Sequence, residues 1–179
     1  VALAAPIAPT ADPACDLLIT NGRVVDGTGA PWFRADVCVA DGRINAIQSP
    51  GKLAQREAKR RIDATNLVVA PGFIDLLGQS EYAVLVDPRA ASKITQGITT
   101  EITGEGASIA PTDARQIAEG EDFWKHYGVR PDWTDLEGYF RAFETARPAI
   151  NLGTLVGAGG IRDLVVGKEN RQATPEELL

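Results

Sequence analysis

Val68-Val69-Ala70-Pro71-Gly72-Phe73-Ile74-Asp75-Leu76-Leu77-Gly78-Gln79-Ser80-Glu81 reads as a short buried strand that ends in a polar turn. An apolar run of this length beside Pro and Gly suits a parallel strand covered on both faces. In α/β proteins the chemistry collects where such strands end. The reading of the rest of the chain follows from this stretch.

Downstream, strands alternate with helices. Asp87 to Gly97 carries Pro in its first turn and Gly at its end, the punctuation of a helix. Ile98 to Thr103 is a second parallel strand, and Gly104-Glu105-Gly106-Ala107-Ser108 is its exit loop. Asp113 to Asp132 is a polar excursion holding the only histidine, His126. From Trp133 to Ala146 the residues Leu136, Tyr139, Phe140 and Phe143 recur at helical spacing. Ala149 to Val156 is a third parallel strand, followed by Gly157-Ala158-Gly159-Gly160 and a short helix over 161–167.

Upstream, Asp16 to Ile47 alternates as short strands do. Asn21-Gly22 and Asp41-Gly42 are hairpin-turn signals. A small antiparallel sheet is expected there, closed by Arg61-Ile62-Asp63 after a charged connector. An antiparallel sheet followed by strand–helix–strand units implies α/β architecture. If the architecture is a closed eight-stranded α/β barrel, which takes about 250 residues, the chain holds about three of its strands, less than half of it.

Composition narrows the function. Apolar content of 44% and charged content of 23% are those of a globular protein. A net charge of −6 argues against nucleic acid or an anionic membrane as partner. No apolar run has the roughly 20 residues of a membrane span. The Ala/Pro-rich start, Val1 to Pro9, resembles the tail of a signal peptide, so a periplasmic or secreted protein is expected, with the cytoplasm as the alternative. Thr174-Pro175-Glu176-Glu177 reads as the start of a further helix. Cys38 sits in an apolar alternation and reads as a buried thiol, while pairing with Cys15 is the reading for an exported chain. There is no CxxC and no Cys/His cluster, hence no self-contained zinc site. His126 reads as a surface or packing histidine and Asp75 as a structural hydrogen-bond acceptor.

Several stretches together resemble the amidohydrolase superfamily, in its D-aminoacylase (N-acyl-D-amino-acid deacylase) branch. They are Asp16 to Ile19 with Asn21 to Gly29, Pro31 to Val37, Asp41 to Ile44, Val69 to Asp75, Gln96 to Thr100, Asn170-Arg171, and Ala173 to Leu178. Their order and spacing, more than any one piece, make the likeness specific. The resemblance implies a tail over 1–15, a small β-sandwich portion over 16–65, and the first strands of a (β/α)8 barrel over 66–179. The rest would come from a further segment of the same precursor, in one chain or as a second. The implied reaction is hydrolysis of an amide C–N bond, as in an N-acyl-D-amino acid, a dipeptide or a cyclic amide. Zinc or another divalent ion, a single one here, would lower the pKa of bound water and polarise the carbonyl.

The departures from the family pattern are equally specific. Where the family has His-x-His after Pro-Gly-Phe-Ile-Asp, this chain has Leu77-Gly78-Gln79. Leu cannot bind a metal, and Gln offers zinc only a weak carbonyl oxygen. Counting back from Ala110-Pro111, with a one-residue gap in the strand, places Glu105 at the next ligand position. Ala158 stands where a histidine often follows the third strand. Gln79, Ser80 and Glu81 are candidates for the mouth of the site. Two further histidines and a catalytic Asp are expected beyond Leu179. The partner is then a small-molecule or peptide-like substrate, with homo-oligomerisation open. The alternative function is a non-catalytic barrel that binds a small molecule or peptide.

Overall fold

The computed structural model describes residues 14–106 and 108–178. The expected tail over 1–15 therefore lies almost wholly outside the described residues, as do Ala107 and Leu179. The chain divides into two compact units, one through Pro71 and one from Gly72 onward.

The first unit is a five-stranded sheet in the order β3 (Arg43–Gln48), β2 (Phe33–Ala40), β1 (Cys15–Val24), β4 (Ala58–Asp63), with β5 (Val68–Val69) also paired to β1. Its β1–β2 and β2–β3 pairs are antiparallel, but β4 and β5 run parallel to β1. The sheet is thus mixed, where the sequence predicts an antiparallel one. The reason lies at Asn21-Gly22, which is no hairpin. Strand β1 continues straight through it as a bulge between Ile19 and Gly22. Asn21 takes a left-handed φ of 62°. Its N–H donates to Asp36 Oδ1 (2.9 Å) and its side-chain Nδ2 to Asp63 Oδ1 (3.0 Å). Buried Asp36 also accepts from Gly51 N at 2.8 Å, so the carboxylate lost to water is hydrogen-bonded on both oxygens.

Cys15, Leu18, Cys38 and Leu53 form a buried cluster, and Cys15 and Cys38 are joined as a disulfide across 23 residues. The free-thiol reading of Cys38 is corrected accordingly: Cys15 and Cys38 have Cα atoms 5.5 Å apart, within bridging range.

In the second unit β6 (Phe73–Asp75), β7 (Ile98–Thr103) and β8 (Asn151–Thr154) form a parallel sheet in chain order. The opening stretch is split. Val68–Val69 belongs to the first sheet and Phe73–Asp75 to the second, with Pro71, which has no N–H to donate, between them. Nor is it buried. Phe73 and Ile74 in the strand, and Leu76 and Leu77 in the turn after it, are all exposed.

The helices are α1 (Ala83–Val86), α2 (Ala91–Ile94), α3 (Ala114–Glu119), α4 (Glu121–Tyr127), α5 (Leu136–Ala146) and α6 (Ala158–Val165), with a last 3-10 turn at Glu176–Leu178. The helix expected over 87–97 shrinks to α2. Asp87 accepts from Arg89 N in a local turn, and the Pro88 carbonyl accepts from Ala149 N, so this segment is spent on turn contacts. Helix α5 is as its spacing predicts, capped by Asp135, whose side chain accepts from Gly138 N at 2.7 Å. Trp133 and Tyr139 are buried with Ile109 and Ala110, and Leu136, Phe140, Phe143 and Leu152 pack around them. Full burial of a side chain such as Leu or Phe is worth about 1.5–3 kcal/mol.

Candidate functional site at the ends of the parallel strands

Asp75, Glu101 and Leu152 are register partners across the three parallel strands. Paired residues share a face of the sheet. Leu152 packs on the Tyr139 cluster, so this row faces the helices. Ile74, Thr100 and Asn151 form the row on the opposite face, where Ile74 is exposed.

On the helix-facing row, Glu101 is fully buried. Lys93, from α2, reaches Asp75 Oδ2 at 2.7 Å and Glu101 Oε1 at 3.4 Å. Partial burial pulls the Lys93 ammonium down, but its hydrogen bond to Asp75 and the charge of Glu101 outweigh this and hold it above its ordinary value. Asp75 is held below the usual carboxylate range, first by Lys93 and then by the Leu77 N–H. Its structural role is the one its place in the sequence predicts.

These acids fasten the turn that follows β6. Leu77 N donates to Asp75 Oδ1 (3.1 Å), Gly78 N to the Ile102 carbonyl (2.9 Å) and Ser80 N to Glu101 Oε1 (3.1 Å). Gly78 is required here: a Cβ on it would lie 1.8 Å from Glu101 Oε1 and 2.0 Å from Glu101 Cγ. Gln79 is exposed at the turn and Ser80 is half-buried. Glu81 is buried, and its backbone carbonyl accepts from Tyr139 OH at 3.0 Å. Burial is the main cause that lifts the Glu81 carboxyl above its ordinary value, with the nearby Glu101 charge adding to it.

Glu105 stands exposed on the loop after β7, flanked by Gly104 and Gly106, both at positive φ. Gly104 is packed tightly, since a Cβ there would lie 2.2 Å from the Leu155 carbonyl oxygen. Ala158 is the first residue of α6, which begins inside the glycine-rich loop. Exposed His126 lies in the last turn of α4 with its ring edge-on to Tyr127. Among the described residues no group of three or more His, Cys, Asp or Glu could hold a metal ion. The described residues therefore do not make a three-ligand metal site by themselves.

Glu101 and Lys93 are the residues that sequence reasoning passes over. One signal was available: an acid in the middle of the otherwise neutral Ile98 to Thr103 strand, which is costly to bury unless paired.

No family model matches the chain. Among curated proteins it is 40% identical over 148 residues to N-acyl-D-glutamate deacylase of Alcaligenes xylosoxydans xylosoxydans, covering 82% of this chain and 29% of that protein. It is 35% identical over 164 residues to D-aminoacylase of the same organism, covering 91% and 33%. Among solved structures, N-acyl-D-glutamate deacylase of Bordetella bronchiseptica, complexed with zinc and a phosphonate inhibitor, superposes with a TM-score of 0.79 at 37% identity over 92% of this chain and 34% of that one. A D-aminoacylase described as defining a novel subset of amidohydrolases gives 0.74 at 32% identity, again over 92% and 34%. The chain thus spans about a third of the length of the relatives it matches. In sequence and in fold, it matches the N-terminal portion of the D-aminoacylase-type amidohydrolases.

Proposed function

We propose that this chain is the first portion of a metal-dependent amide hydrolase acting on N-acyl-D-amino acids or closely related C–N bonds. The observation that carries this reading is the superposition of nearly the whole chain on a zinc-bound deacylase whose phosphonate inhibitor mimics a tetrahedral intermediate. In this reading Glu105 is the one ligand the chain contributes to a single ion, and the other ligands and the catalytic acid come from residues outside it. Gln79 lies at the mouth, on the turn that replaces a histidine pair.

The parallel sheet supports the same reading. Among the described residues β6 and β8 each have one strand neighbour, and Ile74, Leu155 and Val156 are exposed beside them. Further strands of the same precursor, closing a (β/α)8 barrel, would cover these groups and pair both edges. The Cys15–Cys38 disulfide supports assembly in an oxidising compartment, the periplasm or outside the cell.

A second reading, a barrel that binds a small molecule or peptide without chemistry, is favoured by Leu77 and Gln79 at the clamp positions. The two separate when the full-length protein is incubated with N-acetyl-D-glutamate and N-acetyl-D-leucine. Release of acetate that stops on chelation supports the hydrolase. Binding without release by protein loaded with zinc supports the second reading.

A further inference from the structure

We propose that Glu101 is a positioning residue, fixing the Leu77–Ser80 turn so that the Gln79 carboxamide meets the substrate amide. This rests on the hydrolase reading above. The chain's own geometry carries the fixing of the turn, and the hydrolase reading carries the meeting of Gln79 with substrate.

Of the four residues 77–80, three donate their backbone N–H inward: Leu77 to Asp75, Gly78 to Ile102 and Ser80 to Glu101. Two of those three acceptors are acids, and a single ammonium, Lys93, bridges them. The turn also lies directly on the Glu101 side chain, with Gly78 in the place where any larger residue would collide. Gln79, exposed between two fixed neighbours, is thereby held at a defined point after β6.

Stability alone gives little reason for this arrangement. A buried ion pair commonly contributes no more than well-packed apolar side chains of similar volume would. Its distinctive effect is geometric. It fixes which atoms meet, as a second layer of side chains does for groups that touch a ligand. A carboxamide has donors and an acceptor on one planar group. Held still, it can pair with the N–H and C=O of an N-acyl amino acid; on a loose turn it would lose that pairing to water.

The test uses the full-length protein with N-acetyl-D-glutamate and N-acetyl-D-leucine as probes. Gln79→Ala and Glu101→Gln are each expected to raise KM about tenfold, with kcat changed by less than about threefold. If Glu101 acts through Gln79, the double variant is no worse than the poorer single one. Effects that multiply to about a hundredfold would overturn the proposal.

Amide hydrogen exchange supplies a readout independent of activity. Glu101→Gln is expected to speed exchange at residues 78–80 and leave β7 and β8 unchanged. Faster exchange throughout the sheet would mean a general structural role and would also overturn it. Lys93→Gln reaches the same carboxylate from α2 and takes the place of Glu101→Gln if that variant does not fold. Should the wild-type protein hydrolyse neither probe, the hydrolase reading fails, and the exchange data still decide whether Glu101 positions the turn.

Discussion

Gly78 lies against the carboxylate of Glu101, so closely that a methyl group at position 78 would sit 1.8 Å from Glu101 Oε1. Gly78→Ala is therefore expected to destabilise the protein by about 1–3 kcal/mol, the usual penalty for overpacking a filled site. Combining it with Glu101→Ala, which vacates the same space, should cost clearly less than the sum of the two single changes. Urea unfolding of the three variants reads this coupling; strict additivity would show that the two positions do not share the space.

Glu81 has the opposite relation to its surroundings. Buried, and near the Glu101 charge, its carboxyl is raised above the ordinary 4.5. An acid whose folded pKa is raised binds more protons folded than unfolded. Its penalty is absent below the unfolded value and grows as pH rises through the folded one. Glu81→Gln should therefore raise the melting temperature at neutral pH and leave it nearly unchanged at about pH 4, below the ordinary carboxyl value. An equal shift at both pH values would contradict the assignment.

The Cys15–Cys38 disulfide closes a loop across 23 residues in the core of the first sheet. Loop-closure entropy gives it about 3 kcal/mol. Replacing both cysteines by Ala should lower the stability of that unit by about this amount, measured by unfolding in the absence of reductant. The same loss should appear when the wild-type protein is unfolded with reductant present.

How much of this was legible in the sequence depends on the range of the contacts involved. Helix α5 was visible because its apolar spacing and its Asp135 cap are local. The three parallel strands were visible in the alternation of strand and helix segments, and the D-aminoacylase likeness was visible in short ordered motifs. Asn21-Gly22 misled, because the same left-handed Asn that opens a hairpin also forms a bulge when a neighbouring strand offers Asp36 as acceptor. Parallel pairing of β1 with β4 was hidden for a similar reason: nothing within Ala58–Asp63 reveals which strand it will join. At the site, Asp75 was readable from its place at a strand end. The Lys93–Glu101 pair was not, since its members approach only after α2 folds back beside β7.

In the single-ion reading proposed above, metal stoichiometry is tied to Leu77-Gly78-Gln79, which stands where the family has its histidine pair. Lacking the histidine pair, the full-length protein should take up about one zinc per chain. For this protein, excess zinc is expected to leave activity near its maximum, and a steep fall with a second equivalent, read in a zinc titration, would refute the single-ion reading.

Zinc content and acetate release, measured together on full-length wild type and Glu105→Ala, test the central proposal most directly. The expected result is about one zinc and N-acetyl-D-amino acid hydrolysis in the wild type, with both lost together in Glu105→Ala while the fold, read by circular dichroism, is kept. An active wild-type protein without metal, or a Glu105→Ala variant that keeps both its zinc and its activity, would contradict it.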